Sequence, residues 1–182
     1  MDFEIILTVL MGIGLSAASG FRIFIPFLVV SIASLTGNLG LADSFSWIGT
    51  VPAVITSSVA TIIEIAGYYI PWVDNILDTI TSPMAVIAGA ILMASVVTEI
   101  SPFIKWILAI IAGGGVAGTI QALTGVTRVT SSITTGGLGN PGVSTVESGS
   151  SITLSAIAIF IPVIAGIIVI LLLVWATRIL VR

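Results

Sequence analysis

From Ile5 to Leu35 the chain carries one charged side chain, Arg22, in a run that is otherwise apolar or small. About 20 such residues suffice for a helix to cross the roughly 30 Å hydrocarbon core of a bilayer. Further apolar runs follow at about 51–70, 83–98, 103–133 and 152–180. The chain therefore reads as an all-α integral membrane protein of about five transmembrane segments. Composition agrees, since 57% of the 182 residues are hydrophobic and 7% charged, whereas a soluble domain carries about a quarter charged residues. Mean hydropathy is +1.29. Residues 1–182 are expected to form a single transmembrane domain, with possible repeat halves at 1–100 and 101–182.

A guanidinium at the bilayer centre costs roughly 2.5 to 3.5 kcal/mol or more, so it faces a partner, a water-filled cavity or a ligand. Arg128 repeats the situation inside the run 103–133. The absence of Cys and His removes thiol nucleophiles, imidazole bases and the commonest transition-metal ligands. No cofactor and no metal are expected. No basic cluster suited to nucleic acid is present, and Gly113, Gly114 and Gly115 lack the Lys and Ser or Thr ending of a phosphate loop. The N-terminus, Met1, Asp2, Phe3 and Glu4, lacks the basic region of a signal peptide, and the first run is expected to be a retained span.

Thr50 with Pro52, Ser82 with Pro83, and Ser101 with Pro102 fit helix starts. Pro26 and Pro162 lie inside apolar runs and should kink their helices. The first segment is too long for one straight span. Its break is expected between Gly12 and Gly20, and a matching break in the fourth segment between Gly113 and Gly118; both small-residue runs equally suit close helix packing. With three crossings between them, the first and fourth segments would run in opposite directions, the outline of an inverted repeat. Lys105, Arg178 and Arg182 point to the cytoplasm under the positive-inside rule, with the N-terminus outside and the C-terminus inside. Trp47, Trp106 and Trp175 would mark one boundary and Tyr68, Tyr69 and Trp72 the other.

The run GLSAASGFRIFIPFL from Gly14 to Leu28, the stretch IPWVDNILDTITSPMAVIAGAI from Ile70 to Ile91, and the later pattern of Arg128, Asn140, Pro141 and Glu147 resemble the uncharacterised prokaryotic membrane protein family called domain of unknown function 4126. The resemblance covers nearly the whole chain. It implies a small multi-spanning membrane protein and supplies no activity.

Polar stripes supply the candidate site. Ser57, Thr61, Glu64 and Tyr68 share one helical face, as do Gln121, Thr124, Arg128 and Ser131, and a shorter stripe holds Ser16, Ser19 and Arg22. One reading pairs Glu64 with Arg22 or Arg128 in a packing contact. The other leaves an excess of positive charge, because two arginines face one deep carboxylate, and assigns Arg22, Arg128, Glu64, Gln121, Thr124, Ser16 and Ser19 to an anionic substrate or lipid headgroup. Residues 72–81 divide by face into an interfacial amphipathic helix. On it Asp74 and Asp78, one turn apart, form either a solvated face or a coupling-ion or proton site. The Ser-, Thr- and Gly-rich segment 129–155, with Glu147 its only charge after Arg128, reads as an exposed loop or as a segment folded back into a vestibule. The leading function is a transporter or channel for a small anionic solute, expected to be a homo-oligomer in the cell membrane. The alternative is a non-catalytic lipid-binding or assembly subunit. Enzyme activity is not expected, since Asp74 and Asp78 have no recognisable partner motif.

Overall fold

The structure is a computed structural model that describes residues 2–70, 73–98 and 100–180, and the side chains of Asp2, Asp74, Asn75 and Leu180 fall outside it. Among the described residues the protein is all-helical. Its elements are α1 (Asp2–Phe21), α2 (Phe24–Leu35), a 3₁₀ helix (Asp43–Gly49), α3 (Val51–Tyr68), α4 (Val73–Val96), α5 (Pro102–Leu108), a π-helical stretch (Ala109–Gly114), α6 (Gly115–Thr135), α7 (Asn140–Phe160) and α8 (Pro162–Leu180). Among the described residues six helices are long and apolar enough to cross a membrane: α1, α3, α4, the continuous α5–α6 rod, α7 and α8. With 12 residues, α2 is about 18 Å long and too short to span.

The first segment is broken, but at Arg22–Ile23 rather than between Gly12 and Gly20. Those glycines lie inside α1, where a Cβ would meet Met93 at Gly12, Ala158 and Ala165 at Gly14, and the Ala117 carbonyl at Gly20. They are seats for neighbouring helices. Past the break the chain folds back: Ile23 packs with Ala85 and Ala88, Ser31 shares a cleft with Ile91, and the Ala42 N–H reaches the Ser95 carbonyl at 2.8 Å. Since α4 runs antiparallel to α1 (Gly12 beside Met93, the Ser16 hydroxyl on the Gly89 carbonyl), α2 returns toward the end where α1 began. Pro26 sits in the first turn of α2, where a missing N–H is harmless, and not at a kink.

This extra reversal changes the topology. Gly113 meets Ser16, and Gly20 meets Ala117 and Ile120, so α1 and α6 run in the same direction and are not inverted counterparts. No break falls at Gly113–Gly118; the rod there passes from the π turn into α6. Pro83 lies inside α4 rather than at a helix start. The expected interfacial helix is the first turns of α4, where Leu77 covers Gly67 and Thr81 bonds Tyr68 at 3.0 Å; Trp72 lies outside the described residues. Only Thr50 with Pro52 behaves fully as a cap, accepting the Ala53 N–H at 3.4 Å.

The expected loop at 129–155 is instead the end of α6 and most of α7. The turn uses Gly136 and Gly137, whose φ values of 63° and 88° suit glycine, and Asn140–Pro141 opens α7. Within α7, hydroxyls fold onto carbonyls one turn back, Ser148 on Ser144 at 2.9 Å and Ser155 on Ser151 at 2.7 Å, which lets a serine-rich segment stay helical in an apolar setting. At Ile161–Pro162 the chain reverses into α8, which runs alongside α1 from Leu10 beside Gly166 to Phe21 beside Leu172. Lys105, over the Phe45 ring, therefore lies at the opposite end of the bundle from Arg178. Likewise Trp106, packed on Phe45, is remote from Trp175, which shares a cleft with Thr127 and Gly142. Neither pair shares a boundary.

Candidate functional site

The end of α3, the start of α4, the last turns of α6, the first turns of α7 and the α1–α2 break converge on one polar cluster. Arg22 comes from the break, and its side chain is 0% exposed. Its Nη2 lies 3.1 Å from Glu147 Oε2 and donates to the Ser144 carbonyl and hydroxyl, while Nε donates to the Ser148 hydroxyl at 3.2 Å. Arg128 forms a bidentate pair with the same carboxylate through Nε, 3.0 Å from Oε1, and Nη2 on Oε2. Its Nη1 stands 3.5 Å from Asp78 Oδ1. Both guanidiniums also stack on Tyr68, at 3.8 and 3.9 Å from the ring centroid, an attraction strengthened by desolvation. The Tyr68 hydroxyl bonds Thr81, which also accepts from Gln121 Nε2 at 3.4 Å. Tyr68 is thus buried at the centre of the cluster and not part of an interfacial belt.

Glu64 pairs with neither arginine. Its Oε1 accepts the N–H of Ile23 at 2.8 Å and its Oε2 that of Phe24 at 3.1 Å. These are the first free donors of α2, where the helix dipole also favours a negative charge. The carboxylate between the arginines is Glu147, from the segment expected to be a loop. With Glu64, Asp78 and Glu147 present, the described residues of the cluster hold no excess of positive charge, contrary to the excess expected from the sequence.

Of the remaining candidates, Thr124 is buried and lines a cleft of about 420 Å³ with Thr127, Glu147, Ser150, Leu172 and Trp175. Its hydroxyl donates to the Gln121 carbonyl. The hydroxyls of Ser16 and Ser19 donate to backbone carbonyls rather than meeting the arginines, Ser16 joining α1 to α4 through Gly89 at 2.8 Å. The side chain of Asp74 lies outside the described residues. Arg22 Nη1 and Thr61 Oγ1 are buried without a hydrogen-bond partner among the described residues, and Arg128 Nη1 meets Asp78 in an ion pair without a hydrogen bond. Buried donors of this kind are costly unless an acceptor meets them. Chemically, the cluster can hold an oxyanion between two fixed guanidiniums, or lock five helices together.

Sequence reasoning missed Glu147, Ser144 and Ser148. The signal was present: Asn140, Ser144, Glu147, Ser151 and Ser155 recur at helical spacing and are all buried, a polar stripe hidden by a composition typical of loops.

No curated protein and no solved structure matches the chain. The family model described as Domain of unknown function (DUF4126) matches residues 9–182, nearly the whole chain and every element that builds the cluster, and the protein belongs to that family.

Proposed function

We propose that the protein is a small multi-pass transporter or channel of the cell membrane, with an anionic solute bound between Arg22 and Arg128. The observation that carries this reading is Arg22 Nη1, a cationic donor with no acceptor among the described residues, on a wholly buried side chain beside a helix break. Broken helices inside a bundle commonly form solute sites, because their free backbone groups and side chains meet at one point. Arg178 and Arg182 against Lys105 alone favour a cytoplasmic C-terminus and an outside N-terminus. A chain this short is expected to transport as a homo-oligomer.

Flux of nitrate, phosphate and sulfate into liposomes holding the purified protein tests the reading. At least one anion should enter faster than into protein-free liposomes, and Arg22→Gln should slow it by about tenfold or more, the effect of losing one charge-assisted contact. A folded wild-type protein without flux for any of the three would sink the transport reading. A lipid-binding or assembly subunit would then be the better account. That second reading is favoured by the apolar cleft of about 470 Å³ between α7 and α8, which continues through Phe21, Val146, Ser150 and Leu172 into the cleft that reaches Glu147. Its mark would be phospholipid that stays bound through purification.

A further inference from the structure

We infer that an anion binds across Arg22 and Arg128 only together with a proton, and that Glu147 carries it. The inference rests on the transport reading above and assigns the coupling group of that site.

Glu147 Oε2 is the acceptor that both guanidiniums share. A solute bridging the two arginines must take its place. Every charged group facing the cluster enters the balance. Arg22 stands at the end of α1, Glu64 and Tyr68 on α3, Asp78 on α4, Arg128 on α6 and Glu147 itself on α7. The start of α2 contributes two N–H groups, already taken by Glu64. On this side α8 offers Leu172 and Trp175, which do not titrate. The Asp74 side chain, one turn before Asp78, lies outside the described residues.

Arg22 and Arg128 are thus matched by Glu147 and Asp78, with Glu64 held by the helix start. Among the described side chains the cluster is balanced before any solute arrives. A monovalent anion would leave one uncompensated negative charge in an apolar interior, which proteins avoid by protonation. Asp78 is not the group displaced, since of the two arginines it pairs with Arg128, at 3.5 Å, and it is a quarter exposed.

Glu147 has somewhere to go. It lines the cleft of about 420 Å³ in which Thr124, Thr127 and Ser150 stand, and hydroxyls suit a neutral carboxylic acid as hydrogen-bond partners. Arg22 would keep its position meanwhile, because Ser144 and Ser148 hold it independently of the carboxylate. A monovalent anion then crosses with one proton and moves no net charge.

Nitrate is a suitable probe because it does not titrate near neutral pH. Wild-type protein in nanodiscs is titrated with nitrate by calorimetry in two buffers of different ionisation heat, which counts protons, and by infrared difference spectroscopy, which detects a newly protonated carboxyl. About one proton should be taken up per nitrate, and affinity should fall about tenfold per pH unit as pH rises. Glu147→Gln should bind nitrate with no uptake and no pH dependence, while Asp78→Asn keeps the uptake. Binding by the wild type without proton uptake would overturn the coupling and leave the transport reading standing. Uptake that survives in Glu147→Gln, or disappears in Asp78→Asn, would also overturn it. If Glu147→Gln does not fold, the wild-type proton count and carboxyl band decide alone. No nitrate binding at all by the wild type would remove the inference, while flux of phosphate or sulfate would separately decide the transport reading.

Discussion

Glu64 commits both carboxylate oxygens to the backbone, and the reversal at Arg22–Ile23 depends on it. Without that carboxylate two N–H groups would face an apolar interior unpaired. Glu64→Ala is therefore expected to destabilise the protein by about 2 kcal/mol or more, the scale of losing charge-assisted hydrogen bonds to buried donors. Thermal unfolding in detergent measures it, and a midpoint equal to wild type would show that water replaces the carboxylate at no cost. Arg22, Arg128 and Glu64 were legible in the sequence because a charge in an apolar run is conspicuous. Their pairing was not. Glu64 and Glu147 are both carboxylates one helix away from an arginine, and only the direction of α2 decides that one meets backbone and the other meets guanidinium.

Among the elements, helix contact rests on small residues at defined positions. A Cβ on Gly89 would stand 2.5 Å from the Ala117 Cβ and 2.7 Å from the Gly113 carbonyl oxygen, so α4 meets the backbone of the π-helical stretch and the start of α6 at close range. Gly115 has nothing within 4 Å. Gly89→Ala should cost about 1 to 3 kcal/mol through overpacking, whereas Gly115→Ala should be neutral or slightly stabilising through helix propensity. Comparing the two midpoints tests the packing; equal shifts would mean that the helices are not so close. The glycine runs were visible in the sequence as either breaks or packing faces. The structure uses them for packing, because the loss of a helical hydrogen bond is costly in an apolar setting, while the break falls where Glu64 can satisfy the freed donors.

For the whole molecule, the number of apolar runs nearly fixed the number of spans, but not their directions. One unforeseen reversal at Arg22 and one at Ile161 redistribute every later helix end. The result is a specific topology: Ser101 at one end, with the α6–α7 turn and Arg178 at the other. The absence of native cysteine makes labelling clean. Ser101→Cys should react with an impermeant thiol reagent from one side of the membrane only, and Leu138→Cys, at a site 89% exposed, with Arg178→Cys from the other. Labelling of Ser101→Cys and Arg178→Cys from the same side would contradict the reversals.

The reversal at Arg22 also sets the order of events during synthesis. Its side-chain partners Ser144 and Ser148 lie 122 and 126 residues further along the chain, a distance that a ribosome covers in roughly 6 to 25 seconds. For that interval the newly inserted hairpin holds a cation without its final counter-charge. The α1–α2 unit must therefore wait at the membrane surface, or beside the insertion machinery, until α7 emerges. Truncation before Asn140 should leave a chain that is extracted and degraded rather than a stable partial bundle.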